Sequence, residues 1–267
     1  MKLTVSLAQM AVAVAKPEEN LKKAEPWIAE AKRRGSDIIC FPEMWTTGFN
    51  WEYNKRSAYE HEKVIERIAV MARRYRLWIS GSVLALNENG KLSNASILFD
   101  SKGKRAGVYR KTHLFSFVNE DKNVEAGKSL CIVDTPWGLT GLSICYDIRF
   151  PELFRTYALE GAKVVLSPMA FPDVRIHHWK VLVRARAIEN QLFMIGTNQV
   201  GREDFGKAGI LTYAGDSVIV DPWGETVIEA GETEETLVTA TIDIDKVDEV
   251  RNKMKVFKDR RGDLYQL

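Results

Sequence analysis

One cysteine in this sequence has a setting that suits nucleophilic chemistry. Cys145 follows the apolar run Leu139–Ile144 and precedes Pro151, a residue that favours the first turn of a helix. A thiol between a strand and a helix lies beside free backbone N–H groups, which favour the thiolate and can bind an oxyanion. The alternative is that Cys145 is the last core residue of its strand. Cys40 and Cys131 lie in or at the start of apolar runs and are interpreted as core residues.

A carboxylate and an ammonium group also stand at the ends of apolar segments. Glu43 follows the run Ile38–Phe41 after one proline, and its neighbours Pro42, Met44 and Trp45 would exclude water. Desolvation raises a carboxyl pKa towards the range of a general base. Lys111 ends the predicted strand near Arg105–Arg110 and has aromatic residues on either side. The alternatives are a solvated loop glutamate and an ordinary surface lysine.

The motifs of several other kinds of site are missing. The histidines form no H-x-x-x-H pattern and the cysteines form no C-x-x-C pattern, so we predict no metal site. No glycine-rich phosphate loop follows a strand, and the G-x-S-x-G motif of serine hydrolases is absent. We therefore predict neither a metal nor a cofactor.

Alternating apolar segments predict an α/β fold. Strands alternate with helices in the first 80 residues and again from 140 to 200, and hairpin-like strands lie between and after them. This order indicates mixed sheets with helices outside. The stretches IICFPEMW at 38–45 and VVLSPMAF at 164–171 resemble each other, which indicates two related halves or a coincidence.

Taken together, the segments around Glu43, Lys111 and Cys145 resemble the nitrilase superfamily of carbon–nitrogen hydrolases. They read FPEMWTTGF, YRKTHLF and GLSICYDIRFPELFR, and they stand in the chain order of the family's catalytic Glu, Lys and Cys. Further similarity in HWKVLVRARAIENQ and GDSVIVDPWGE extends the resemblance over nearly the whole chain. Three separated motifs in the right order favour the catalytic interpretation of all three residues.

The resemblance implies an architecture and a set of roles. The fold would be a four-layer α-β-β-α sandwich of the nitrilase type with two mixed β-sheets, forming a single domain over 1–267. Cys145 would be the nucleophile and Glu43 the general base, while Lys111 and the backbone N–H of Tyr146 would bind the oxyanion. A second glutamate is implied between the lysine and the cysteine. Glu120 matches it best and Glu125 less well.

The omega-amidases are the most similar branch, on the segments CYDIRFPE, AFPDVRIHHW and RARAIENQ. They release ammonia from the terminal amide of 2-oxoglutaramate and 2-oxosuccinamate, so a cation should bind the 2-oxo acid group. We favour Arg175, whose loop should overhang the strand end at the cysteine, because an arginine fork suits a carboxylate. Arg149 is nearer in sequence, with a structural pairing to an acidic neighbour as the alternative. Phe49, Thr46 and Phe171 are expected to line the pocket.

Two other interpretations remain open at this level. The chain could be an N-carbamoyl amino acid amidohydrolase or an aliphatic amidase of the same superfamily. It could also be a non-catalytic scaffold that has kept the fold, although three intact catalytic residues argue against that. The family further implies at least a homodimer, with the C-terminal region from about 245 to 267 at a subunit interface.

Composition limits the kinds of partner. Hydrophobic residues make up 45% and charged residues 28% of the 267 residues, which suits a folded globular chain. A net charge of +2 gives no basic excess for nucleic acid. No apolar run reaches 18 residues, and the start MKLTVSLAQM is typical of a buried strand and not of a signal peptide. Three widely spaced cysteines favour a reducing compartment, so we expect a cytoplasmic protein. The resemblance implies that its partner is a small amide substrate.

Overall fold

The computed structural model describes residues 1–206 and 209–264. Its strands in chain order are β1 (Lys2–Gln9), β2 (Ile38–Cys40), β3 (Trp78–Leu86), β4 (Leu92–Phe99), β5 (Arg105–Arg110), β6 (Ile132–Thr135), β7 (Gly138–Leu142), β8 (Val164–Pro168), β9 (Phe193–Thr197), β10 (Val200–Asp204), β11 (Ile210–Ala214), β12 (Val218–Val220), β13 (Thr226–Glu229) and β14 (Thr236–Asp243). Its α-helices are α1 (Pro17–Arg33), α2 (Trp51–Arg56), α3 (His61–Tyr75), α4 (Glu120–Asn123), α5 (Pro151–Leu159), α6 (Ile176–Asn190) and α7 (Asp245–Lys253).

Two six-stranded mixed sheets organise the chain. Their strand orders are β14-β1-β2-β3-β4-β5 and β13-β12-β9-β8-β7-β6. In the first sheet β1, β2 and β3 run parallel, and in the second β7, β8 and β9 do so. The outer strands of both sheets pair antiparallel. When the first sheet is read from β14 and the second from β6, parallel and antiparallel pairings therefore follow in the same order.

This repeat explains the similarity of the segments 38–45 and 164–171. β2 is the third strand when the first sheet is read from β14, and β8 is the third when the second sheet is read from β6. The segments 38–45 and 164–171 therefore contain equivalent strands and the loops that follow them. The two segments meet where the N–H of Glu43 donates to the carbonyl of Met169 at 3.1 Å. The interpretation as two related halves therefore agrees with the topology.

Apolar stripes attach a helical layer to the outside of each sheet. In α3 the buried residues Val64, Ile65, Ile68, Met71 and Ala72 recur at helical spacing, and they pack with α1 on the first sheet. α5 and α6 pack against each other, and α6 covers β9 and β12 of the second sheet. Side chains of β1, β8 and β9 share one core between the sheets. The predicted four-layer α-β-β-α sandwich is confirmed.

Some elements lie outside what the sequence pattern predicted. The pattern gave no helix at α2 and no strand at β10, and β10 pairs with β11 in a hairpin that belongs to neither large sheet. The region from 245, expected as a tail, begins with α7, whose Val247 and Val250 are buried. Residues 265–267 of that region lie outside the described residues. No helix within 1–206 or 209–264 is long and apolar enough to cross a membrane.

Candidate active site

Glu43 stands where β2 ends, and its backbone is held from several sides. Its N–H donates to the carbonyl of Met169 after β8, and its carbonyl accepts from Gln199 Nε2 at 2.7 Å. Pro42 precedes it, and Met44 follows with a positive φ of 49°, so the chain turns sharply at this point. The side chain is only 2% exposed, so the carboxylate is buried and the alternative of a solvated loop glutamate does not hold.

Cys145 lies in the tight turn that follows β7. Its φ is +40°, a left-handed conformation that costs a non-glycine residue roughly 1–2 kcal/mol. A short 3₁₀ helix spans Cys145–Arg149 and ends directly before α5. The Asp147 carboxylate accepts from the N–H of Ile144 at 2.8 Å and so stabilises the turn. Cys145 is partly exposed and lines a cavity, so it is not simply a core residue.

Lys111 joins two carboxylates at the bottom of that cavity. Its Nζ lies 2.7 Å from Glu43 Oε1 and 2.8 Å from Glu120 Oε2. All three side chains are almost fully buried. Asn94 Nδ2 donates to the same two carboxylates, at 2.9 Å in each case. One ammonium and one amide thus donate hydrogen bonds to both carboxylates. Two buried like charges need such compensation, because an unpaired buried charge is costly.

The charges of this cluster shift the pKa values of its members. Burial raises the pKa of Glu43; the positive charge of Lys111 opposes this shift and the negative charge of Glu120 adds to it. Burial lowers the pKa of Lys111, but Glu120 and Glu43 more than offset this effect, so the net shift is upward and the ammonium stays charged. Burial and the charge of Glu43 raise the pKa of the Cys145 thiol, while Lys111 lowers it. The resting sulfur therefore keeps its proton until a base removes it.

Most residues predicted for the pocket line the same cavity as the cluster. Phe49, Tyr146, Arg149, Phe171 and Arg175 all contribute to its lining together with Glu43, Lys111 and Cys145. Glu120 does not line it and approaches the cluster from behind Lys111.

Two candidate residues, Thr46 and Glu125, lie away from the cavity. Thr46 does not line the cavity, because the turn that begins at Met44 carries it under α1, where its carbonyl accepts from Asn20 Nδ2. Glu125, the weaker candidate for the second glutamate, instead accepts from Asn87 and pairs with Lys91. Glu125 is part-exposed beside the β3–β4 turn, whereas Glu120 is fully buried.

Two arginines give the cavity a positive side. The Arg175 guanidinium lies over the rings of Phe115 and Phe117 at 5.5 and 5.4 Å. Its Nη2 atom is buried and has no hydrogen-bond partner among the described residues. Burial and then the charge of Arg149 lower the pKa of Arg175. An unpaired guanidinium beside a second cation is a site for an anionic group.

Arg149 has a different set of contacts. Its guanidinium lies over the rings of Tyr146 and Phe171, at 5.9 and 5.4 Å, and 3.4 Å from His178 Nδ1. The contacts found in the described part of the chain include no acidic neighbour, so the alternative of a structural ion pair is not supported.

Sequence reasoning missed two polar residues that hold the cluster together. Asn94 lies in the middle of β4, and its Oδ1 accepts from Ser82 Oγ at 2.7 Å, which orients its amide towards the carboxylates. Asp147 accepts from Tyr109 Oη at 2.9 Å and lies 2.7 Å from His113 Nδ1, so it joins the turn of Cys145 to the segment of Lys111. The available signal was the spacing: Asp147 and His113 each stand two residues after a predicted catalytic residue.

The described residues contain no cluster of three or more histidine, cysteine, aspartate or glutamate side chains arranged to hold a metal ion.

A thiol, two carboxylates and an ammonium group thus meet at one cavity of an α-β-β-α sandwich. The model of the carbon–nitrogen hydrolase family matches residues 4–252. The chain belongs to this family, and the expected enzyme class, a hydrolase of carbon–nitrogen bonds, is confirmed.

Relatives and a solved structure are similar over almost the full length. The chain is 36% identical to a 2-oxoglutaramate amidase of Bacillus subtilis, over 99% of this chain and 100% of that protein. It is 33% identical to the omega-amidase NIT2 of Homo sapiens, over 98% of this chain and 96% of that protein. The structure of Nit3 from Saccharomyces cerevisiae, a member of branch 10 of the nitrilase superfamily, superposes with a TM-score of 0.87 at 28% identity, covering 97% of each chain.

Proposed function

We propose that this protein is an omega-amidase that releases ammonia from the terminal amide of 2-oxoglutaramate or 2-oxosuccinamate through a cysteine thioester. The observation that carries the proposal is one cavity lined both by the reactive cluster and by Arg175, whose buried Nη2 has no hydrogen-bond partner among the described residues. Lys111 lies within 2.8 Å of both Glu43 and Glu120, and Cys145 lines the same cavity. Arg175 provides the cation for the substrate carboxylate. The similarity to a 2-oxoglutaramate amidase supports this choice of substrate.

The proposed first half-reaction starts with proton transfer from the Cys145 thiol to the Glu43 carboxylate. The thiolate attacks the amide carbon, and the Lys111 ammonium and the backbone N–H of Tyr146 bind the oxyanion. Such donors typically lower an activation barrier by roughly 3–4 kcal/mol each. The tetrahedral intermediate then collapses, and protonated Glu43 gives its proton to the leaving nitrogen as the carbon–nitrogen bond breaks, so that ammonia departs.

In the second half-reaction Glu43 takes a proton from water, which attacks the thioester carbon. The carbon–sulfur bond breaks, the sulfur recovers the proton, and the 2-oxo acid leaves. Glu120 keeps Lys111 in place and adds to the negative charge that raises the pKa of Glu43. Because Glu43 must be ionised to act as a base, and its pKa is raised, kcat/KM should increase as pH rises through that pKa.

The test is ammonia release from 2-oxoglutaramate by the purified chain and by Cys145→Ala. We expect activity in the unmodified protein and a loss of more than about a thousand-fold in the variant. Mass spectrometry of the quenched reaction should show the acyl group on Cys145. Ammonia release that survives Cys145→Ala would refute the assignment of the nucleophile. Turnover of N-carbamoyl amino acids with release of carbon dioxide would favour that alternative, and inactivity on every amide would favour a scaffold.

The carboxylate site has its own test. Arg175→Gln should raise KM for 2-oxoglutaramate by about 10- to 100-fold, because a charge-assisted hydrogen bond contributes about 1.5–3 kcal/mol. KM for a neutral aliphatic amide should change little. Arg149→Gln shows whether the second arginine shares this role, and Arg202→Gln, at an exposed position of β10, serves as the matched control. Equal effects on both substrates would show that Arg175 does not bind the carboxylate.

We further propose that the protein acts in the cytoplasm as a homodimer or a larger homo-oligomer built from one domain. Its three free cysteines, Cys40, Cys131 and Cys145, support a reducing compartment. Exposed apolar residues on the outer face of α6, Val181 and Ile188, support self-association. Fractionation of source cells with immunodetection tests the location, and enrichment in a membrane or secreted fraction would contradict it.

A further inference from the structure

One side of the cavity is formed by the β10–β11 hairpin. Phe205, Leu211 and Tyr213 of this hairpin line the cavity, and Phe49 lines it from the loop that follows Glu43. The hairpin pairs with neither large sheet; isolated bridges connect Val200 to Ala11 and Tyr213 to Pro172. Its position relative to the loop of Glu43 therefore depends on side-chain contacts.

A single buried carboxyl group joins the hairpin to that loop. Glu203 of β10 is 4% exposed. Its Oε1 accepts from the N–H of Phe49 at 2.5 Å, and its Oε2 accepts from Tyr213 Oη at 3.0 Å. Both donors belong to residues that line the cavity, one from each side of the junction.

The backbone of the loop leaves room for this carboxyl group. Gly48 has a φ of +63°, and a Cβ there would lie 2.9 Å from Glu203 Oε1. A side chain at this position would therefore push the carboxyl group away from the N–H of Phe49. Because Gly48 has no side chain, Glu203 can reach the N–H of Phe49. The contact therefore depends on both the hairpin and the loop.

The charge of Glu203 has no cation to compensate it among the described residues; its hydrogen-bond partners there are Phe49 and Tyr213. Burial raises its pKa to about 7 although both hydrogen bonds lower it, and the charge of Glu43 adds to the increase. Burial, and then the charge of Glu203, raise the pKa of Tyr213 well above its usual value, so the phenol stays protonated. The carboxylate offers one acceptor oxygen to each of the two donors, whereas a neutral amide would offer only one, so the second hydrogen bond comes with the cost of a buried charge.

We propose that Glu203 is a positioning residue that clamps the β10–β11 hairpin onto the loop of Glu43 and Phe49 and thereby sets the width of the acyl-binding side of the cavity. The proposal rests on the proposed amidase function. In the ionised state the carboxylate accepts from both donors and holds the two sides together. Protonation places a hydrogen on one oxygen, which removes an acceptor and loosens the junction.

The experiment compares the steady-state kinetics of the full-length enzyme, Glu203→Gln and Tyr213→Phe on 2-oxoglutaramate between about pH 6 and pH 8, on either side of the Glu203 pKa of about 7. Glutamine resembles the protonated carboxyl group in having a single acceptor oxygen, with an NH2 donor group in place of the O–H. Asp204→Asn removes a carboxylate from an exposed position next to it on the same hairpin and is the matched control.

We expect KM of the unmodified enzyme to increase as pH falls through this range. KM of Glu203→Gln should be about 3- to 10-fold higher at pH 8, as expected for one lost hydrogen bond, and nearly independent of pH. kcat should stay within about 2-fold, since no reacting atom touches Glu203. Asp204→Asn should follow the unmodified enzyme. Glu203→Gln with the same KM and the same pH dependence as the unmodified enzyme would overturn the proposal.

Two further measurements distinguish failure of the clamp from a variant that does not fold and from failure of the proposed function. If Glu203→Gln does not fold, Tyr213→Phe decides, since it removes one of the two bonds and should still raise KM; an unchanged KM would refute the clamp. If no protein hydrolyses any amide, the proposed function fails and the clamp is judged by hydrogen exchange. The backbone amide of Phe49 should then exchange faster in Glu203→Gln than in Asp204→Asn, and equal exchange would refute it.

Discussion

At the scale of the residue, Lys111 is the cation that compensates the negative charges of two buried carboxylates. Its Nζ contacts Glu43 and Glu120, and none of the three side chains is more than 2% exposed. Removing one partner of a buried ionic cluster leaves an uncompensated charge, which typically costs about 3–5 kcal/mol. We therefore expect Lys111→Met to lower the free energy of unfolding by that amount at pH 8 in urea titrations. Lys104→Met, at an exposed position, is the control.

The sign of the pH dependence distinguishes this explanation from a simple packing defect. Burial already raises the pKa of Glu43, and loss of the positive charge at 111 would raise it further. A carboxyl group whose pKa is higher in the folded state than in the unfolded state contributes most stability below its unfolded pKa, and this is lost as pH rises through the folded pKa. Lys111→Met should therefore recover stability between pH 8 and pH 5. A deficit that does not change with pH would indicate lost packing instead.

The same residue scale shows what sequence can and cannot indicate about the site. Glu43, Lys111 and Cys145 each end an apolar segment, so their placement at one edge follows from the order of strands. The sequence does not indicate that Asn94 belongs to the site. All eight residues of β4 are buried, so the usual alternation of polar and apolar positions is lost. Thr46, expected to line the pocket, lies away from it because the positive φ at Met44 turns the chain, which no local pattern indicates.

At the scale of the element, Asp147 joins the turn after β7 to the segment after β5. Its carboxylate accepts from Ile144 N–H and Tyr109 Oη and lies 2.7 Å from His113 Nδ1. The ring of His113 in turn stacks on Phe150 with a centroid distance of 3.7 Å. The turn that holds Cys145 in a strained conformation and the segment that ends in Lys111 are thus fixed to each other by one buried side chain.

We expect Asp147→Asn to impair catalysis more than folding. The amide can replace one acceptor but places N–H groups against a donor, which should cost about 1–3 kcal/mol of unfolding free energy. A displacement of Cys145 relative to Lys111 of about 1 Å should lower kcat by about 100-fold. Asp134→Asn, at an exposed position of β6, is the control. An unchanged kcat, measured with the proposed amide substrate, would show that the two segments hold their positions without this contact.

Elements with a strong apolar pattern were predictable, and the others were not. The apolar spacing between 61 and 76 predicts a helix, and α3 is observed over His61–Tyr75 with six buried residues on one face. α2 has a polar cap, in which Asn50 Oδ1 accepts from Tyr53 N–H, but only Asn54 is buried and no apolar period exists. β10 contains the buried Glu203 where a strand pattern would place an apolar residue. Its conformation depends on the loop of Phe49, which no local pattern reveals.

At the scale of the whole molecule, the two outer helical layers differ in the apolar side chains that they expose. The layer of α5 and α6 exposes Leu159, Val181 and Ile188, at 41%, 65% and 51%. Among the exposed large hydrophobic residues of the described chain, the layer of α1 and α3 contributes Val70. An apolar patch on one face of a folded chain is typical of a protein interface. The expected homodimer would bury the layer of α5 and α6.

The corresponding prediction concerns mass in solution. Sedimentation equilibrium of the full chain should give at least twice the 30.3 kDa of one chain. Val181→Asp combined with Ile188→Asp should shift the protein towards the monomer, because each carboxylate would be buried without a partner at the interface. Val70→Asp on α3 makes the same change on the opposite layer and should leave the mass unaltered. A 30.3 kDa species for the unmodified chain, or equal behaviour of the α6 and α3 variants, would contradict an interface at α6.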